Sequence, residues 1–338
     1  MGFTPPDHII EGARQIDSDI LRDPITGNPA ARPVFSIVVF FPEGGTLDRQ
    51  LAAVETLADL AAEMSDDLTH MQTADGNPEP LNLERFVSES RTAIQNRFEN
   101  GREDAALDLD LGVFGEPFAV PANRGLCAFG GSVTAGAPIV DSDADMSRLE
   151  VTTSLSWDVE TGFDRQIART LRAAEALGAS HGLAGFGLQY DRVAWGTADH
   201  HSAIPFLTRF PGFHCGFDGG FTTQATINRS QPDRYFSVNW LTILGDAMID
   251  ELGGEADLRR KLGEDNPFHT YRGGAVVQAG ALPQTGDVNR GIAMDAYRTV
   301  SVATATVRFE DYNVGLFPNA DAGESLRQTL AWAGRFDD

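Results

Sequence analysis

YRGGAVVQAGALPQTGDVNRGIAMDAYR, Tyr271 to Arg298, carries more turn residues and more patterning than any other stretch of the chain. Gly273 and Gly274 lead into a short apolar run, Ala275 to Ala279, interrupted only by Gln278. A run of that length bounded by turn residues reads as a buried, central strand. Gly280 to Gly291, with Pro283 and Gly286 inside it, is rich in Gly, Pro, Asp and Asn. Those residues favour an ordered turn, because glycine reaches left-handed backbone angles and short polar side chains bond nearby amides. Asp287 and Asn289 are placed to make such bonds. The stretch holds no catalytic motif, so its expected role is to fix a scaffold.

Upstream lies SVNWLTILGDAMIDELGG, Ser237 to Gly254. Asn239 reads as an N-cap, and Leu241, Leu244, Met248 and Leu252 recur as one apolar helical face. Gly253 and Gly254 stop that helix, and a shorter one restarts over Glu255 to Leu262. Downstream, Thr299 to Phe309 alternates as a strand should, and GESLRQTLAWAGRFDD ends as a helix finished by Trp332 and Phe336.

Farther back, prolines make residues 1–32 an arm. VFSIVVFF, Val34 to Phe41, is a β-branched and aromatic strand closed by the turn Pro42 to Gly45. Thr46 then caps a helix whose stripe is Leu47, Leu51, Val54, Ala58 and Ala61. The pattern from Asp66 to Asp145 is loose, with a helix over Leu83 to Asn100 and a half-exposed strand through Leu107, Leu109 and Leu111. In Leu149 to Gly178, alternation of Val151, Thr153, Leu155 and Trp157 predicts a strand. A helix with Phe163, Ile167, Leu171 and Ala174 on one stripe follows and stops at Gly178; Leu183 to Tyr190 supplies another strand. Strand, turn and helix thus recur, as if in two related strand-helix-strand halves. The expected fold is α+β, with mixed or antiparallel sheets and helices packed on them. It divides into the arm 1–32, a first α/β subdomain 33–148 with an acidic irregular region, and a second α/β subdomain 149–338.

With 49 acidic and 26 basic residues, the 338-residue chain has a formal net charge of -23. That surface repels phosphates, and no basic patch offsets it, so direct nucleic-acid binding is excluded. A basic partner is attracted instead. Cys127 and Cys215 lack CxxC spacing and read as two reduced thiols of a cytoplasmic protein. The N-terminus has no basic-then-apolar signal, and no apolar run is long enough to span a membrane.

No phosphate-loop, dinucleotide or HExxH pattern occurs, so no cofactor is expected. GASHG, Gly178 to Gly182, matches GxSxG but follows a helix and precedes a strand, the reverse of a nucleophile elbow around Ser180. His200, His201, His214 and Cys215 are competent zinc ligands, which keeps a metal-dependent hydrolase as the alternative reading. Adjacent histidines usually point apart, however, and RFPGFHCGFDGGF reads more economically as an aromatic, glycine-rich packing loop. The acidic DSDAD segment lacks the glycine and closing glutamate of a calcium loop. The expectation is no metal, no catalytic residue and no enzymatic activity.

SVNWLTILGD, ELGG, GGAVVQAGALPQTGDVNRG, YRTV at Tyr297 to Val300 and the terminal WAGRFD resemble the type VI secretion immunity family in order and spacing. The family segments include Asn239, Trp240, Gly253, Gly254, Gly273, Gly274, Gln278, Gly280, Pro283, Gly286, Asp287, Asn289 and Tyr297, which read as structural. The chain departs at Thr304 to Arg308, keeping only the Arg of the family pattern, and at the acidic region Arg102 to Asp145. The resemblance implies a cytoplasmic inhibitor without catalysis, whose partner is a cognate antibacterial toxin, a nuclease with a basic groove. The candidate toxin-binding surface is then acidic: Glu103, Asp104, Asp108, Asp110, Asp141, Asp143 and Asp145.

Overall fold

The run Val34 to Phe41 lies in the middle of one sheet, which has eleven strands among the described residues. The computed structural model describes residues 7–18, 21–22, 27, 29–42, 47–63, 69–73, 79–100, 107–112, 130–135, 146–190, 197–215, 233–312, 315, 317 and 321–337. In chain order the elements are α1 (Asp7–Ser18), β1 (Leu21–Arg22), β2 (Pro29–Pro42), α2 (Leu47–Ala62), β3 (His70–Gln72), β4 (Glu79–Pro80), α3 (Leu83–Glu99), β5 (Leu107–Gly112), β6 (Gly130–Ala135), β7 (Met146–Thr153), α4 (Leu155–Thr161), α5 (Phe163–Leu177), β8 (His181–Tyr190), α6 (Thr197–Arg209), β9 (Leu241–Gly245), α7 (Asp246–Glu251), α8 (Glu255–Leu262), β10 (Phe268–Tyr271), β11 (Gly274–Gln278), α9 (Asp295–Thr304) and α10 (Ala322–Ala333). Short 3-10 turns flank α9 at Val288–Arg290 and Ala305–Val307. The strand order is β10-β11-β9-β8-β2-β7-β6-β5-β3-β4, with β1 pairing β2. The pairs are antiparallel, and helices cover the sheet, as expected of α+β.

β2 is buried on both faces. Phe35, Ile37, Val39 and Phe41 share a core with Val54 and Leu57 of α2 and Ala173 and Ala174 of α5. Val38 and Phe40 point the other way, against Leu183 and Phe236. Side chains alternate across a strand, so a continuous apolar run requires cover on both sides. On the first face, Trp240 is fully buried and lies 6.0 Å from the Phe35 ring and 5.6 Å from that of Phe163. A second cluster joins Leu188 of β8 to Leu207 of α6, Phe309 and Trp332.

Several elements follow their local signals. Asn82 caps α3 by accepting from the Arg85 amide at 2.9 Å. Gly178 ends α5 in a left-handed conformation, φ 58°. Val54, Ala58 and Ala61 are buried on α2, while Asp48, Glu55 and Asp59 are exposed. Ala275 to Gln278 forms β11 as read, but one strand in from the edge rather than at the centre. Thr46 lies outside the described residues.

Four expectations are corrected. Within the 1–32 arm, Asp7–Ser18 is helix α1, Leu21–Arg22 is strand, and β2 starts already at Pro29; Arg14 ties α1 to Glu160 at 2.7 Å. Leu155 and Trp157 belong to α4, not to β7. The chain turns there because the buried Asp158 carboxylate is satisfied by Thr153 Oγ1 at 2.6 Å and by Gln166, which folds the helix back on the strand end. Leu241 to Leu244 form β9, wholly buried between β8 and β11, so sheet pairing overrides the helical spacing. Thr299 to Phe309 is mostly helical: Tyr297, Val300, Ser301 and Thr304 are buried at helical spacing on α9, and Val302 points to solvent.

Replacing Trp240 with Ala is expected to cost about 3–5 kcal/mol in urea unfolding, against within about 0.5 kcal/mol for Val302→Ala. Equal losses would contradict the assignment of this core.

Candidate functional site

Of the acidic residues expected to meet a partner, Glu103, Asp104, Asp141, Asp143 and Asp145 lie outside the described residues. Asp108 and Asp110 belong to β5, in register with Thr134 and Ser132 of β6. Asp110 is also in register with Gln72 of β3. These two residues therefore lie on the wing of the sheet opposite β10 and β11.

His200 and His201 fall on α6, which ends at Arg209, where the segment expected as a packing loop begins. His214 and Cys215 follow it and are fully buried. The His214 Nε2 is hydrogen-bonded to Ser36 Oγ of β2, and Gly187 runs so close to the ring that a Cβ there would collide with it. Burial, helped by the Arg335 cation, lowers the His214 pKa to about 3, so the ring is neutral at pH 7. Serine beside a neutral imidazole has the composition of a nucleophile and base, but both residues are sealed from solvent and from any substrate. Ser180 sits in the turn between α5 and β8, where its hydroxyl donates to the Phe40 carbonyl at 3.3 Å. Among the described residues no three metal-ligating side chains converge, and nothing supports the hydrolase alternative.

The segments that resemble the immunity family meet around β9, β11 and the C-terminus. Asn239 caps no helix; its Oδ1 accepts from the Trp240 amide at 2.7 Å and its Nδ2 donates to Phe186 O at 3.0 Å. Trp240 Nε1 and Gln278 Nε2 both donate to the Gly280 carbonyl. Gly273 lies in the β10–β11 turn and Gly274 opens β11, and Gly253 and Gly254 join α7 to α8. In the loop that follows β11, Gln284 N donates to Tyr297 Oη at 3.1 Å, next to half-buried Pro283. Asp287 Oδ1 accepts from Asn289 N at 3.0 Å, and Arg209 of α6 grips the same carboxylate at 3.0 and 3.3 Å. Gly286, φ 63°, packs on Met294 and Pro211. Bonding to Arg209 holds the Asp287 carboxyl below the usual carboxylate range.

WAGRFD works as a clamp. Arg335 donates to Pro211 O at 2.6 Å, Ser237 Oγ at 2.6 Å, Trp332 O at 2.9 Å and Val238 O at 3.1 Å. Its guanidinium lies 4.4 Å from the Trp332 ring centroid and 4.5 Å from that of Phe336. Burial lowers its pKa to about 9, which leaves it cationic at pH 7. Asp337 pairs with Arg308 at 2.6 Å and accepts from Ser301 at 2.8 Å. Arg308, the one family-pattern residue kept in that segment, thus anchors the last turn.

Between α6, the Val288 turn and α10 opens a pocket of about 380 Å³. Ile204, Leu207, Val288, Phe317 and Trp332 give it apolar walls; among the described residues Arg327 and Arg335 are its charged lining, and Arg327 is ion-paired with Glu324. Sequence reading did not find it, because its walls come from residues more than 100 positions apart. The aromatic setting of the lone Arg in WAGRFD was the available signal.

Residues 133–336 match the family model described as type VI immunity for VRR-NUC. No curated protein matches the chain. A solved Pseudomonas aeruginosa protein, T6SS protein PA0821, shares the fold with a TM-score of 0.71 and 19% identity, over 90% of this chain and 85% of that one.

Two titrations check this geometry. In NMR the His214 ring is expected to keep neutral-imidazole shifts from pH 8 down to about pH 5, far above its folded pKa of about 3; a midpoint near the ordinary histidine value would contradict its burial. A carboxyl held below its unfolded pKa stabilises the fold above that pKa and loses the contribution as pH falls through the folded value. The stability advantage of the natural protein over Asp287→Asn should accordingly be full at neutral pH and fade below about pH 4, as read from urea midpoints; a constant difference would contradict the Arg209 pairing.

Proposed function

This chain belongs to the family described as type VI immunity for VRR-NUC, and we propose that it binds its cognate VRR-NUC effector and silences it stoichiometrically, without catalysis of its own. Blocking the nuclease's substrate groove is the mode of inhibition that its charge favours. The net charge of -23 is the observation that carries this reading. A nuclease holds phosphates in a basic groove, and an acidic protein competes for that groove while charge complementarity speeds encounter. Glu103, Asp104, Asp108, Asp110, Asp141, Asp143 and Asp145 are the contacts assigned to this role. In this arrangement the first subdomain meets the groove and the second supplies the scaffold. The site of action is the cytoplasm, where a nuclease meets the nucleic acid of the cell. Among the described residues, no helix is long and apolar enough to cross a membrane.

Co-expression is the direct test. The effector alone should arrest growth and the pair should grow; an effector that kills equally with this chain present and never co-purifies with it ends the proposal. Reversing Asp108, Asp110, Asp143 and Asp145 to Lys should slow association at low salt by about tenfold or more, with the gap closing at high salt. An unchanged on-rate would move the interface elsewhere.

A further inference from the structure

The two ends of the sheet are built differently. At one end β4 is two residues long, and its Pro80 has no amide proton to offer a further strand. At the other end β10 has a strand partner on one side only, β11. The two strands join through a two-residue turn, Arg272 and Gly273, with Tyr271 in register with Gly274 and Phe268 with Val277. Antiparallel pairs alternate between those that exchange hydrogen bonds and those that do not. The Gln278 amide donates to Pro267 O at 2.8 Å, which sets the phase: Pro267, His269 and Tyr271 face β11, while Phe268 and Thr270 turn their N–H and C=O groups outward. Those outward groups have no partner among the described residues. Thr270 is exposed, and no proline, lysine or bulge within the strand guards the edge.

A bare edge of this kind is completed by another strand, and the residues around it say which. Glu264 and Asp265 are exposed just before β10 and Arg272 just after it, and none of the three is ion-paired among the described residues. Antiparallel pairing of β10 with β10 of a second copy brings each end of one strand to the opposite end of the other. Arg272 of each copy then meets Glu264 and Asp265 of the other. The same two-fold axis sets Phe268 opposite Thr270 of the second copy, and the outward groups of these two residues supply both donors and both acceptors of the pair. Net charge does not forbid the contact. Glu255 to Gly273 carries four acids and four bases in a chain of net charge -23, and at physiological salt the field of more distant charges fades over about 8 Å.

We infer that β10 is the interface of a homodimer, in which two copies of the sheet join edge to edge around a two-fold axis. Pairing stops at two copies because β4 closes the other edge. β5, with Asp108 and Asp110, stays toward the far end of each copy, so both acidic wings remain free in the dimer. The inference stands independently of the toxin-neutralising role. A strand of four residues makes a small contact, so the dimer is weak, with a Kd of about 10–100 μM.

Sedimentation equilibrium of the full chain from about 5 to about 500 μM reads the result, and the natural protein should pass from monomer to dimer across that range. Thr270→Pro removes an outward donor and should leave a monomer. Thr270→Val keeps the backbone groups and should keep the dimer; circular dichroism and melting temperature check that both variants fold. Arg272→Glu sets like charges against each other at both ends and should weaken association at least about tenfold. Adding Glu264→Arg and Asp265→Arg to it should restore the dimer, which a merely misfolded variant would not show. In NMR the Phe268 and Thr270 amides should exchange with solvent more slowly in the concentrated sample than in the dilute one. A chain that stays monomeric up to about 500 μM overturns the inference. So does a dimer that persists in folded Thr270→Pro, or one whose Phe268 and Thr270 amides exchange at the same rate at both concentrations, since either puts the contact elsewhere.

Discussion

Everything in this molecule is arranged around a strand that has no solvent face. From Val34 to Phe41 each residue of β2 is buried, so both sides of the sheet must be covered there. α2 and α5 cover one side, where the side chains of Phe35, Ile37, Val39 and Phe41 interleave with theirs. On the other side Leu183 and Phe236 pack on Val38 and Phe40, and α6 and α10 close over the neighbouring part of β8. Burial of large side chains on this scale contributes about 1.5–3 kcal/mol for each. The polar residue in the run, Ser36, is tolerated because His214 is brought to it as a neutral partner.

That double cover explains what could be read from the sequence. Val34 to Phe41 and Ala275 to Ala279 were legible as strands because continuous apolar runs of that length between turn residues fit little else. α2 and α5 carried apolar stripes that survive folding, and α3 and α10 form where helices were expected. Where reading failed, tertiary context overruled a local pattern. Leu241 and Leu244 have helical spacing, yet the open position between β8 and β11 takes them as β9. Thr299 to Phe309 alternates in polarity, yet the buried set of Tyr297, Val300, Ser301 and Thr304 has the period of a helix. Asp158 turns the chain after β7 through partners at Thr153 and Gln166 that no local rule connects.

The proposed partner surface rests on a different kind of signal. Net charge is a property of composition and needs no fold, so the expectation of a basic partner was drawn from it alone. The pocket was not legible, because Leu207, Val288 and Trp332 come together only when α6, the loop after β11 and α10 pack. The loop was readable as ordered, and Asp287 does hold it through Asn289. Its grip by Arg209 and its apolar display were hidden. The histidines and the buried serine look chemical in sequence, but the fold spends His214 on packing a polar position in its core.

The central claim is that this chain inhibits as a stoichiometric blocker. Titrating it into purified effector while following DNA degradation tests that most directly. The account predicts a linear fall to no activity at equimolar chain, with DNA in excess restoring cleavage as it competes for the groove. Full nuclease activity in a molar excess of chain, or inhibition by a small fraction of an equivalent, would contradict it.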